Sequence, residues 1–407
     1  MNVVELFAGI GSQRKALTKL EIDYNVLSIA EWYIPAILAY DSIHYGKRNV
    51  EENINVNIEE IKKYLKKFTF SMDGKTPLTD KAFFYMNENL MRNLYIANKR
   101  TNNLVSIDKV KGYELPNQID VLTYSFPCQD LSNVGAFHGY RSGIDKDKKS
   151  RSGLLWQVER IIKERFNLGL NLPKILLMEN VSTLLSPRHN KNFQTWIDSL
   201  EDLGYYSKYY TLNSKDFGIP QNRERIFMIS VYTKDLDQVT KNNCINEINQ
   251  EFVGKKEMKP LKSFLKTNYQ GKYKVEAEEA QPNDTASRRE IYENNYYLFG
   301  NEKRRLMKYC RTITTRQDRH PNSGVIDYNG EKNTFRFLTA REVFLLMGFS
   351  EEDYESIENG NFYRNKTSLF FSRDKYYVLA GNSIVVDVLE VVFKRIHKIY
   401  EIMNNRR

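Results

Sequence analysis

The first twenty residues constrain the fold most. Val3 to Phe7 is an apolar, β-forming run, Ala8-Gly9-Ile10-Gly11 reads as a tight turn, and from Ser12 onward Ala16, Leu17 and Leu20 share one helical face. A strand, glycine turn and helix in that order predict a doubly wound α/β sheet. Further apolar runs repeat the theme, and each stops at polar chemistry. Tyr24 to Ala30 ends at Glu31-Trp32, Ile119 to Tyr124 leads into Ser125-Phe126-Pro127-Cys128, and Lys174 to Met178 delivers Glu179-Asn180. Ligands of open α/β sheets bind at the carboxyl ends of the strands, so these residues are predicted to share one functional edge.

Glu31 lies 20 positions after Gly11, close to the roughly 20-residue offset at which an acidic side chain accepts from a ribose hydroxyl. The turn carries two glycines and lacks the three-glycine pattern that cradles a pyrophosphate. That favours an adenosyl cofactor over a nicotinamide dinucleotide. Pro127 ends strand pairing just before Cys128, which places the thiol where a nucleophile belongs. A lone cysteine is more often a small buried hydrophobe, and the rest of the chain has to decide between the two.

Three cysteines in 407 residues, Cys128, Cys244 and Cys310, show no paired spacing. This predicts a reducing compartment, with neither a disulfide framework nor a zinc site. Met1 to Phe7 has no basic region of the kind that opens a secretory signal, and no stretch reads as a membrane span. The net charge of +10 suits a protein that approaches a polyanion such as nucleic acid.

Residues 46 to 118 are Lys- and Asn-rich and read as helical and loop insertions with little chemical information. Gly74-Lys75-Thr76 ends like a phosphate-binding loop, but Thr69 stands where that loop needs its first glycine, so it is assigned no function. Phe193, Trp196, Ile197, Leu200 and Leu203 form a core-facing helical stripe that stops near Gly204. From about 233 to 310 the chain turns polar, basic and aromatic, as a substrate-reading insertion would. Thr339-Ala340-Arg341-Glu342 is a capping-box helix start, 351 to 375 reads as an exposed excursion, and Ile384 to Ile396 is amphipathic. The predicted domains are 1–232, completed by a carboxyl-terminal helix within 376–407, and a smaller target-reading domain, 233–375.

Taken together these segments resemble, in order, the motifs of the cytosine-C5 DNA methyltransferase family, particularly its stand-alone bacterial and phage members. Phe7-Ala8-Gly9-Ile10-Gly11 is similar to the cofactor turn, Glu31-Trp32 to the ribose and adenine clamp, and Pro127-Cys128-Gln129 to the nucleophile loop. Arg151 to Leu155, Glu179-Asn180-Val181, Gln221 to Arg225, Leu338 to Glu342 and Gly381-Asn382-Ser383 resemble the remaining motifs. Several independent matches in family order are far more specific than any one of them.

The resemblance implies methyl transfer from S-adenosylmethionine to carbon 5 of a cytosine flipped out of double-stranded DNA, leaving S-adenosylhomocysteine, with no metal. It implies Cys128 as nucleophile at carbon 6, Glu179 at ring nitrogen 3, Arg225 at the exocyclic oxygen and Arg223 as a further cation favouring the thiolate. Cofactor contacts fall on Phe7, Ala8, Gly9, Ile10, Gly11, Glu31, Trp32, Ile107, Pro127, Leu154 and Asn382. The family's usual Asp-Ile pair is replaced by Ser106-Ile107-Asp108, one position out of register. The resemblance also implies a cytoplasmic monomer, with a cognate restriction endonuclease as a separately acting partner. The rival readings are an RNA cytosine-C5 methyltransferase of transfer-RNA type and a catalytically silent DNA-binding member. The target sequence is not legible.

Overall fold

The computed structural model describes residues 1–48, 55–127, 152–252, 256–300 and 305–404. Cys128, Gln129, Arg151 and the loop joining them lie outside the described residues. The chain divides into two compact units, one of Met1–Leu212, Glu224–Val253 and Leu389–Arg407, the other of Asn213–Arg223 and Gly254–Val388.

The first unit is built on six strands: β1 (Asn2–Leu6), β2 (Asn25–Ala30), β3 (Val121–Tyr124), β4 (Ile175–Val181), β5 (Tyr205–Asn213) and β6 (Glu224–Tyr232). Their order across the sheet is β2-β1-β3-β4-β6-β5. β1 pairs parallel with both β2 and β3, and β3 parallel with β4, whereas β4 pairs antiparallel with β6. The α/β class is as predicted, but the sheet is mixed. Every residue of β3 and β4 is buried, so the sheet is covered on both faces, and β4 opens on the apolar run Ile175 to Met178.

One face packs Val4, Leu6, Leu122, Tyr124, Leu176 and Met178 against two helices, Leu155–Asn167 and Pro187–Asp202. The predicted stripe from Phe193 to Leu203 lies in this core, and the Trp196 indole N–H donates to the buried Tyr124 hydroxyl at 3.1 Å. Gly204, at φ +100°, follows where the helix ends. On β1 the helices α1 (Ser12–Lys19) and α2 (Ile34–Tyr45) follow the first two strands.

The division between units departs from the predicted boundary at 232/233. The helix Gln238–Asn249 stays with the first unit, where the Ile248 carbonyl takes the Tyr210 hydroxyl and the Gln250 carbonyl takes Arg395. Asn213–Arg223 goes with the second because Gln221 and Arg223 spend their side chains on carbonyls of Leu346, Ile313, Gly381 and Ser383. Residues 376–388 also belong to the second unit, tied in by the Val386 N–H to the Met347 carbonyl.

In the second unit the capping box at Thr339 forms as read: Thr339 Oγ1 accepts from Glu342 N–H and Glu342 returns a carboxylate oxygen to Thr339 N–H at 2.8 Å. Residues 351–375 correct the reading of an exposed excursion. They contain the helix Glu351–Asn359, and Tyr354, Ile357, Phe370 and Phe371 are buried. The segment Arg373–Asn404 is long and apolar enough to cross a membrane by composition alone, but 78% of its apolar window is buried in the protein, as in a core helix. Val392, Phe393, Ile396 and Ile399 on the last helix, Val386–Asn404, are fully buried.

Candidate active site

Parallel pairing brings the carboxyl ends of four runs to one edge. Leu6 sits opposite Ala30 on β2 and Tyr124 on β3, and Tyr124 opposite Met178 on β4. The next residues in each run are therefore neighbours at that edge: Phe7 to Gly11, Glu31-Trp32, Ser125 to Pro127 and Glu179-Asn180.

The turn after β1 is left-handed at three places, Phe7 (φ 56°), Gly9 (φ 57°) and Gly11 (φ 78°). A side chain at φ > 0 is strained, which explains glycine at two of the three and marks Phe7 as a held, unusual residue. A Cβ on Gly9 would meet nothing within 4 Å, so the turn leaves open room there. At Gly11 a Cβ would overlap the His44 imidazole and lie 2.7 Å from the Tyr40 ring.

Glu31 is buried and bridges this turn to α2. One carboxylate oxygen accepts from Gly9 N–H at 2.9 Å and the other from Tyr33 N–H at 2.8 Å. Burial pushes its carboxyl up to about 7, against the pull of those N–H bonds. Its backbone is gripped by Asn103, whose side-chain oxygen accepts from Glu31 N–H at 3.0 Å and whose amide donates to the Glu31 carbonyl at 2.9 Å. Asn103 also accepts from Val105 N–H, holding that β-branched residue at φ 66°. Trp32 is half-buried.

At the end of β3, Ser125 Oγ lies 3.5 Å from the Gln13 amide of α1, and the buried Asn180 amide donates to the Phe126 carbonyl at 3.0 Å. The chain is thus pinned two residues before Cys128, whose own position lies outside the described residues. Glu179, 9% exposed, forms an ion pair with Arg225, Nε to Oε1 3.4 Å, across the antiparallel β4–β6 pair.

Arg223 is the other arginine of the Gln221 to Arg225 motif. It is buried, and its guanidinium donates to the carbonyls of Ile313 (2.9 Å), Gly381 (3.1 Å) and Ser383 (2.8 Å). These bonds tie Arg223 to the Gly381-Asn382-Ser383 turn and to Ile313. Asn382 itself is exposed, just beyond the helix Arg373–Gly381. Ile107 is buried in the core beside Val4 and Leu6, and Leu154 packs against the same core. Pro127 is half-buried. Next to Ile107, the buried Ser106 hydroxyl bonds the exposed Asp108 carboxylate.

Sequence reading missed the layer beneath the turn. Glu5, fully buried on β1, accepts from Arg14 N–H at 3.0 Å and from the Tyr40 hydroxyl at 2.6 Å, and burial raises its carboxyl to about 7. His44 donates from Nε2 to the Ile10 carbonyl at 3.1 Å; burial first, then Arg14, lowers its imidazole to about 3, so it is neutral. Asn103 was missed as well. A buried polar side chain inside an otherwise apolar run was the one signal available, and Glu5 carried it.

A mixed, doubly covered α/β sheet with a glycine turn, a buried acid and a half-buried tryptophan on its carboxyl edge defines a Rossmann-like methyltransferase fold. Solved structures agree: the Dnmt2 methyltransferase of S. pombe matches with a TM-score of 0.58 at 16% identity over 98% of both chains, and the Entamoeba histolytica methyltransferase EhMeth with 0.57 at 16%, again over 98% of both. The profile of the C-5 cytosine-specific DNA methylases matches residues 72–398. Type II methyltransferase M2.ScrFI of Lactococcus lactis subsp. cremoris is 33% identical over 98% of this chain and 99% of its own length. Orphan methyltransferase M.SssI of Spiroplasma monobiae is 32% identical over 97% of each. The chain belongs to the C-5 cytosine-specific DNA methylase family and is a methyltransferase of that class.

Proposed function

We propose that the protein methylates carbon 5 of a flipped-out cytosine in a specific double-stranded DNA sequence, with Cys128 as the covalent nucleophile. The observation that carries this reading is the Glu179–Arg225 pair at the strand edge, beside the Asn180-pinned segment that leads into Cys128.

Carbon 5 of cytosine is too weakly nucleophilic to attack a methyl group unaided. The Cys128 thiolate adds to carbon 6, forming an S–C bond and driving the ring's π electrons towards nitrogen 3 and the exocyclic oxygen. Glu179 supplies a proton at nitrogen 3, and Arg225 bonds the oxygen. When bound, S-adenosylmethionine supplies the electrophilic methyl that carbon 5 takes, and leaves as S-adenosylhomocysteine. Loss of the carbon 5 proton to a base then expels the thiolate, and nitrogen 3 returns its proton to Glu179, which restores the neutral pyrimidine. Flipping the target base costs a few kcal/mol and exposes carbon 6 to the thiol.

The residues present fit an adenosyl donor. Gly9 leaves room at the turn, Glu31 offers a buried acceptor for ribose hydroxyls, and Trp32 offers a ring for the adenine. Phe7, Ala8, Ile10 and Gly11 complete the turn, with Ile107, Pro127, Leu154 and Asn382 as the other contacts. Target reading is assigned to the second unit. The proposal includes a cytoplasmic monomer and, after the type II name of one relative, a separately acting restriction endonuclease.

Tritiated methyl transfer to duplex DNA and to total RNA, followed by bisulfite sequencing of DNA from expressing cells, tests the reading. Methylcytosine confined to one DNA sequence is the expected result; transfer to RNA alone, or to neither, overturns it.

Glu31 adds a pH prediction. Ribose donors favour the carboxylate, and in the cofactor-free protein that carboxylate is half protonated near its value of about 7. Binding releases the proton, so the Kd for S-adenosylhomocysteine falls about tenfold from pH 6 to pH 8. In Glu31→Gln the profile is flat. Calorimetric titration at the two pH values checks it, and a wild-type Kd that does not move would refute the assignment.

A further inference from the structure

The segment Ser71 to Thr76, which sequence reading left without a role, is bound to the backbone that carries Trp32. Ser71 N–H donates to the Trp32 carbonyl at 2.8 Å and the Ser71 carbonyl accepts from Ile34 N–H at 2.9 Å, a two-sided bridge straddling Tyr33. Tyr33 caps α2 without a side-chain hydrogen bond, so one of the helix's open N–H groups is satisfied from the insertion instead. Phe70, 2% exposed, anchors the segment, and Leu78 N–H closes it onto the Phe70 carbonyl at 2.7 Å.

The turn is rigid for reasons visible in its own hydrogen bonds. Ser71 is fully buried; its hydroxyl lies 2.9 Å from Asp73 Oδ1 and 2.7 Å from the Thr76 carbonyl, and accepts from Gly74 N–H at 2.9 Å. Asp73 Oδ1 accepts from the N–H groups of Lys75 and Thr76, each at 2.8 Å, and Oδ2 from the Thr76 hydroxyl at 3.0 Å. Gly74, at φ +68°, faces the Tyr33 ring, where a Cβ would sit in ordinary contact at 3.6 Å. Burial opposes the Asp73 charge, but these donors, Thr76 N–H foremost, hold its carboxyl down at about 2. It is a carboxylate at every working pH.

The strand end is therefore held from two insertions at once, by Asn103 at Glu31 and by Ser71 at Trp32 and Ile34. We infer that the Ser71–Thr76 turn is a positioning element for the adenine-facing Trp32, and that Asp73, which touches no reacting group, governs affinity for the nucleoside end of the methyl donor. This rests on the reading of Trp32 given above.

Steady-state kinetics and S-adenosylhomocysteine binding of Asp73→Ala, Asp73→Asn and Trp32→Ala test it. Asp73→Ala raises the KM for S-adenosylmethionine and the Kd for S-adenosylhomocysteine about tenfold. Its kcat and its KM for DNA stay within about twofold of wild type. The increase is the same at pH 6 and pH 8. Asp73→Asn, whose side-chain oxygen still accepts from Lys75 and Thr76, restores both constants. An unchanged Kd in Asp73→Ala alongside a weakened Trp32→Ala overturns this inference and leaves the Trp32 reading standing. A loss of kcat and DNA affinity in proportion to cofactor affinity marks a merely structural role and overturns it too. An unchanged Kd in Trp32→Ala removes the Trp32 reading, and the inference with it.

Discussion

Replacing Cys128 by alanine lowers methyl transfer to duplex DNA by about 10⁴- to 10⁶-fold, the range seen when a covalent enzyme loses its nucleophile. Among the described residues of the proposed site, Glu179 and Arg225 are paired with each other and neither can take the place of Cys128 at carbon 6. The covalent step has its own signature. On duplex DNA carrying 5-fluorocytosine at the target, the carbon 5 position has no proton to lose after methylation, so the thiolate cannot be expelled and protein stays joined to DNA. The adduct forms with wild-type protein and methyl donor, and is absent from Cys128→Ala or when the donor is omitted. Residual transfer at wild-type rate in Cys128→Ala would sink the mechanism.

Glu179→Gln lowers kcat by about 10²- to 10⁴-fold, the usual reach of a positioned general acid. Glutamine is nearly the same shape and can still accept from Arg225, so the strand edge keeps its packing and the melting temperature moves little. A carboxamide has no proton to place on nitrogen 3. The alternative is that Glu179 only neutralises Arg225 at this 9% exposed position. In that case Glu179→Gln would retain kcat, and calorimetric melting beside single-turnover kinetics separates the outcomes. S-adenosylhomocysteine binding is unaffected in either case.

Much of the site was legible because its chemistry is written in short runs. Each strand end hands its polar residue directly to the sheet edge, so Gly9, Glu31, Pro127 and Glu179 could be placed there from local pattern, whereas Arg225 was reached through the family resemblance. Arg223 shows the limit of such reading. Two arginines one residue apart on the same short motif look alike in sequence, yet one meets Glu179 across β4–β6 and the other meets carbonyls some 90 to 160 residues away. Asn103 and Ser71 show it again. Both sit in a Lys- and Asn-rich insertion with weak periodicity, and both act through partners more than 35 residues distant, which no local pattern encodes.

Sequence by itself determined the α/β class, the order of the motifs and the identity of the chemical groups at the strand ends. Strand propensity, turn chemistry and apolar runs act over a few residues and are readable there. Only the tertiary structure decided that β6 runs antiparallel, that 213–223 belongs with the second unit, and that Glu5, Tyr40 and His44 underlie the glycine turn. The physical reason is common to all three. A buried polar group must find its hydrogen-bond partner wherever the chain's path supplies one, and that path exists only once the sheet has formed.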